Sequence, residues 1–88
     1  MKKRRKSKTS RRKIAVPTLA KSDTQINQWH ERGGGYIALE DKRTGNSIIE
    51  WRDEAMNEAV EDGFLNPRDL HGSAYDYAAD MGVLKRPQ

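Results

Sequence analysis

Apolar residues are unevenly spaced along this chain, and that spacing divides it before any other property does. Among leucine, isoleucine and valine only Ile14, Val16 and Leu19 precede position 26, whereas Ile26 to Leu84 holds the rest, with both tryptophans and all three tyrosines. A small hydrophobic core is therefore expected after residue 22, preceded by a short junction at Ile14-Ala15-Val16-Pro17 that could lie on the body or pair at a sheet edge.

The segment from Asp23 to Arg32 reads as a first helix. Ser22 and Gln25 have capping-box spacing, and Ile26 and Trp29 share one face at i,i+3 while Gln25 and Gln28 face water. This reading assigns Trp29 to the core, and Gly33-Gly34-Gly35 supplies the helix stop. Tyr36 to Glu40 and Ser47 to Trp51 then read as two strands, because β-branched and aromatic residues dominate them and Thr44-Gly45-Asn46 provides a turn.

A second helix runs from Arg52 or Asp53 to Asp62. Ala55, Met56, Ala59 and Val60 form its apolar stripe, Asp53 and Glu54 suit its positive start, and Gly63 ends it. Asn66-Pro67 opens a further short helix as cap and first residue; Gly72 interrupts it, and Ser73 with Asp76 caps a last helix from Ala74 to Met81. The expected fold is a small single α+β domain: a two-stranded antiparallel hairpin packed against three or four short helices, preceded by a disordered basic arm. The expected divisions are residues 1–13 for the arm, 14–22 for a junction, 23–84 for the domain and 85–88 for a short C-terminal tail.

Composition tightens this picture. Leucine, isoleucine, valine and phenylalanine account for 14 of 88 residues, so the core is small and a homodimer is one way to enlarge it. The net charge of +4 conceals two regions of opposite sign. Nine of the twelve residues from Lys2 to Lys13 are basic (Lys2, Lys3, Arg4, Arg5, Lys6, Lys8, Arg11, Arg12 and Lys13) and none is acidic. From Ile14 to Gln88 eight basic residues face thirteen acidic ones, so the body carries a net charge of −5.

A line of closely spaced cations on an arm that repels itself can follow phosphates and release their condensed counterions. The expected function is therefore that of a non-catalytic nucleic-acid-binding accessory or regulatory protein, with DNA or RNA as partner. Arg32, Lys42 and Arg43 are candidates for additional phosphate contacts if the fold gathers them. No aromatic residue interrupts the arm, so any stacking surface has to come from the body, with Trp29 or Tyr36 as its source.

The alternative expectation is a protein-interaction or inhibitor module. Glu54, Glu58, Glu61 and Asp62 occupy related exposed positions on the second helix, which would present an acidic face to a basic protein. Catalysis is not expected: His30 and His71 are far apart in sequence, no compact metal-ligand spacing occurs, and the glycine tract lacks the Gly-Lys-Ser/Thr ending of a phosphate loop. No cofactor or metal is expected. Without cysteine the chain forms no disulfide, and no apolar stretch approaches the ~20 residues of a membrane-spanning helix. The charged start lacks the apolar run of a secretory signal, giving an expectation of a cytoplasmic or nucleoid-associated protein without integral membrane association.

Overall fold

The computed structural model describes residues 16–32 and 34–88. After a single 3-10 turn at Lys21–Asp23 come β1 (Thr24–Glu31), β2 (Gly34–Asp41), β3 (Ser47–Arg52), α1 (Asp53–Glu61) and α2 (Leu70–Asp80). The strands form one antiparallel sheet in the order β1-β2-β3. This α+β architecture corrects the expected two-stranded hairpin with three or four helices to a three-stranded sheet with two α-helices.

Two local misreadings produce that difference. The first is β1, expected as a helix, which pairs with β2 along its full length, from Thr24 opposite Asp41 to Glu31 opposite Gly34. Ile26 and Trp29 share a face at helical spacing, but in a strand an odd separation puts them on opposite faces. Ile26 packs against the core, whereas Trp29 is 44% exposed; the expected burial of Trp29 is thus also corrected.

The second is α2. Asn66 opens a turn rather than a helix: its side chain accepts the Arg68 N–H at 3.0 Å and its carbonyl accepts the Asp69 N–H at 2.9 Å. Asp69 is the actual cap of α2, accepting the Gly72 N–H at 3.2 Å. Gly72 therefore starts the helix instead of interrupting it. A Cβ there would meet the Asp69 carboxylate, so glycine lets the cap sit close without displacing that side chain. Ser73 does not cap a separate helix; its hydroxyl accepts the Asn66 N–H at 2.9 Å and donates to the Leu70 carbonyl at 3.1 Å.

One face of the sheet is covered. Ile37, Leu39 and Trp51 from the strands pack with Met56 and Ala59 of α1, Leu65, and Ala74, Tyr75 and Ala78 of α2. Both helices end on a left-handed glycine. Gly63 has φ of 87°, and the Phe64 and Gly63 N–H groups return to the carbonyls of Ala59 and Val60; Gly82 does the same work for α2, where the Val83 and Gly82 N–H groups reach Ala78 and Ala79. These reciprocal bonds satisfy carbonyls that a helix end otherwise leaves open.

The passage from sheet to α1 has no loop. Asp53 makes the turn with a φ of 51°, a conformation costly for most L-residues but more accessible to aspartate. Its carboxylate accepts the Gly35 N–H at 3.2 Å. A Cβ on Gly34 would fall 2.0 Å from Asp53 Oδ1, so part of the glycine tract serves close approach of β2 to the start of α1 rather than a helix stop.

Candidate nucleic-acid interface

The arm residues Lys2, Lys3, Arg4, Arg5, Lys6, Lys8, Arg11, Arg12 and Lys13 lie outside the described residues. Where the described chain begins, it is tied to the body at several points. Thr18 forms a parallel bridge with Lys85; the Lys85 N–H donates to the Pro17 carbonyl at 2.8 Å and the Leu19 N–H to the Lys85 carbonyl at 2.9 Å. Leu19 is fully buried, and its carbonyl accepts the Tyr75 hydroxyl at 2.5 Å. Buried hydrogen bonds of this kind hold the segment that follows the arm.

Val16 and Pro17 line an open groove of about 590 Å³ shared with Asp41, Thr44, Asn46 and Val83. The β2–β3 turn thus stands beside the point where the described chain begins. Asp41 organises that turn: its carboxylate accepts the Arg43 N–H at 2.9 Å and the guanidinium at 3.1 and 3.2 Å, and its backbone carbonyl accepts the Gly45 N–H at 2.7 Å. The Arg43 hydrogen bonds hold the Asp41 carboxyl below the usual carboxylate range. Arg43 is consequently folded onto its own turn, although its side chain stays well exposed.

Lys42 is set differently. Its N–H donates to the Asp23 carbonyl at 3.0 Å, bringing it beside the 3-10 turn that carries Lys21. His71, at the start of α2, feels both lysines. Burial lowers its pKa most, and the charges of Lys21 and Lys42 lower it further. Its Nε2 lies 2.7 Å from the Thr24 hydroxyl, which donates to the Lys21 carbonyl at 2.7 Å. A hydroxyl has one proton, so His71 carries hydrogen on Nε2 and donates it to Thr24.

Arg32 is remote from this group. It follows β1 at the Glu31–Gly34 end of the hairpin, whereas Lys42 and Arg43 follow Asp41 at the other. Along β2 that separation is ~24 Å at about 3.4 Å per residue. The three basic residues therefore do not form one patch. The same register separates the histidines, since His30 lies opposite Gly35 and Thr24, the partner of His71, lies opposite Asp41. Among the described residues no group of histidine and carboxylate side chains is arranged to hold a metal ion.

The sheet face away from the helices carries a second constellation. Trp29, Tyr36 and Arg52 sit opposite one another across β1, β2 and β3. The Trp29 and Tyr36 rings are stacked at 5.7 Å with 19° between their planes, and the Arg52 guanidinium lies 4.5 Å from the Tyr36 ring centre. The Tyr36 hydroxyl donates to Glu50 at 3.1 Å; having spent its proton there, it can only accept from Ser47 at 3.4 Å. Arg52 Nε also donates to Glu50 at 3.2 Å. The Tyr36 hydrogen bond, aided by Arg52, lowers the Glu50 pKa. Farther along, Gln25 and Asn27 each donate to Glu40 at 3.1 Å.

Sequence reasoning overlooked Arg52 as part of a site, because its partners come from neighbouring strands rather than neighbouring positions. No local signal marked it, since each side of the strand, Asn27 with Trp29 and Ile26 with Gln28, mixes polar and apolar residues. Glu54, Glu58, Glu61 and Asp62 are all exposed at or just beyond α1. None of them joins an ion pair among the described residues.

The fold and these surfaces define a small three-stranded α+β domain with a polar, aromatic-bearing open sheet face. Compared with known protein families, with curated proteins and with solved structures, the chain matches none.

Proposed function

We propose that this is a non-catalytic nucleic-acid-binding accessory protein whose Lys2-to-Lys13 arm contacts phosphate while the folded body limits and directs that contact. The observation that carries the reading is the charge division: nine basic residues within twelve, none acidic, joined to a body of net charge −5. Lys21 and Lys42, beside the start of the described chain, extend the cationic surface. The acidic remainder disfavours phosphate elsewhere and keeps the arm as the principal contact.

A salt series on duplex DNA tests this. With six to nine phosphate contacts, log K against log salt falls with a slope of about −5 to −8. Replacing the nine arm lysines and arginines with glutamine in the full chain abolishes most of that slope. Equal affinity of the two proteins for DNA and RNA at every salt concentration overturns the reading.

A second reading rests on the carboxylates of Glu54, Glu58, Glu61 and Asp62, which are exposed and form no ion pair among the described residues. In it, this face docks a basic protein. Glutamine at all four positions then weakens capture of a histone-like or arginine-rich test protein, while unchanged capture removes this face as the cause.

A further inference from the structure

Trp29 is an unusual residue to leave on the open side of a sheet. Its indole is 44% exposed, yet it is not a loose surface side chain, because one face rests on the Tyr36 ring. Tyr36 is itself only 8% exposed and is fixed by its hydroxyl bond to Glu50 and by Arg52 on the neighbouring strand. The orientation of the indole is therefore set before any ligand arrives, which reduces the entropy lost on binding.

We propose that Trp29 is a stacking platform for one unpaired base of a single-stranded nucleic acid, with Arg32 available to its flanking phosphates. The proposal rests on the nucleic-acid reading and deepens it by choosing single strands over duplex. Every base offers a π-face to an aromatic platform once unstacked, whereas the faces of paired bases are already covered by their neighbours.

Charge on the same face gives the strand a direction. Glu50 and Glu40 occupy the middle and far part of the sheet, each hydrogen-bonded to side chains beside it. Phosphates avoid those carboxylates and are confined to the β1 edge, near Arg32.

The two tryptophans make the test direct. Trp51 is 8% exposed and lies on the covered face, so it serves as an internal reference for the exposed indole. Oligothymidylate and oligouridylate are titrated into the full chain, with binding followed by anisotropy of the labelled oligonucleotide and stacking by tryptophan emission. Emission from Trp29 is expected to be quenched in step with binding. Trp29→Ala is expected to weaken single-strand binding roughly 5- to 150-fold, corresponding to the usual value of one base on one aromatic platform. Trp29→Phe retains part of the affinity, and duplex binding is unchanged by either substitution.

Single-strand binding that is equally tight in Trp29→Ala, with unquenched emission in the parent, overturns the stacking site and leaves the arm as anchor. Absence of binding to every nucleic acid overturns the arm reading and this one together. Emission that changes with protein concentration, without oligonucleotide, assigns the face to a second copy of the chain and also overturns the proposal.

Discussion

The covered and open faces of the sheet are made from the same three strands but held in order by different forces. On the covered face Leu39 and Ile37 are nearly inaccessible and pack among side chains from both helices. Removal from water supplies their stabilisation, and each such side chain contributes about 1.5–3 kcal/mol. On the open face Trp29, Tyr36, Glu50 and Arg52 are held by stacking and hydrogen bonds among themselves. Trp29 stays 44% exposed there while its ring is held against Tyr36. One face is thus held by burial against the helices, and the other by contacts among its own side chains.

That contrast can be broken most directly at Leu39 and Trp29. Leu39→Ala is expected to destabilise the domain by about 2–5 kcal/mol in chemical denaturation, because it leaves a cavity among residues from three elements. Trp29→Ala is expected to cost less than about 1 kcal/mol in the same measurement. Similar losses for the two would mean that both faces are structural, and the functional role of the open face would lose its basis.

The next effect concerns the junction of sheet and α1. Gly34→Ala places a methyl group against Asp53 and is expected to cost about 1–3 kcal/mol. Asp53→Gly removes the clash and suits the positive φ, so the cost of Gly34→Ala should shrink in that background. Additive losses in the double variant would show that another contact governs Gly34.

A smaller change is expected from Tyr36→Phe, on the order of 1 kcal/mol. It also removes the main cause of the lowered Glu50 pKa, so the Glu50 titration followed by NMR should move upward. Because the folded-state pKa of Glu50 lies below its ordinary value of 4.5, its contribution to stability is present above that pH and is lost as pH falls through the folded value. An unmoved Glu50 titration would contradict the Tyr36 hydrogen bond.

The mildest expected effect is the pH response of His71. Burial and two nearby lysines lower its pKa below 6.5. The unfolded chain then takes up a proton more readily than the folded one, so stability is full above about pH 6.5 and declines as pH falls through the folded pKa. Denaturation midpoints of the parent and of His71→Gln between pH 7.5 and 5 should converge toward the acid end. Parallel curves would remove His71 as a source of the dependence.

Several parts of this architecture were legible from residue order. The stop at Gly63 and the strands around Ile37 and Trp51 are local signals that appear where their spacing indicates, whereas of the expected α1 stripe Met56 and Ala59 are buried and Ala55 and Val60 are exposed. β1 was illegible for a definite reason. Of Thr24–Glu31 only Ile26 contributes a large aliphatic side chain, so neither a period of two nor of 3.6 is established, and a single Ile26–Trp29 pair decided the reading wrongly. The candidate surface at Trp29 followed it: a helix buries that indole beside Ile26, and a strand exposes it.

By itself the sequence determined the charge division, the absence of thiol chemistry, the α1 helix and its stop at Gly63, since composition, near-neighbour spacing and backbone freedom are properties of residues close in the chain. Tertiary structure alone decided that Thr24–Glu31 is a strand, that Asp69 and Gly72 begin one continuous α2, that Arg32 lies apart from Lys42, and that Trp29, Tyr36 and Arg52 form one row. Each of those outcomes depends on a partner outside the local pattern or on a hydrogen bond whose geometry exists only after the chain has packed. Pairing with β2 satisfies the backbone of β1 and turns Trp29 outward, which no count of its neighbours along the chain could supply.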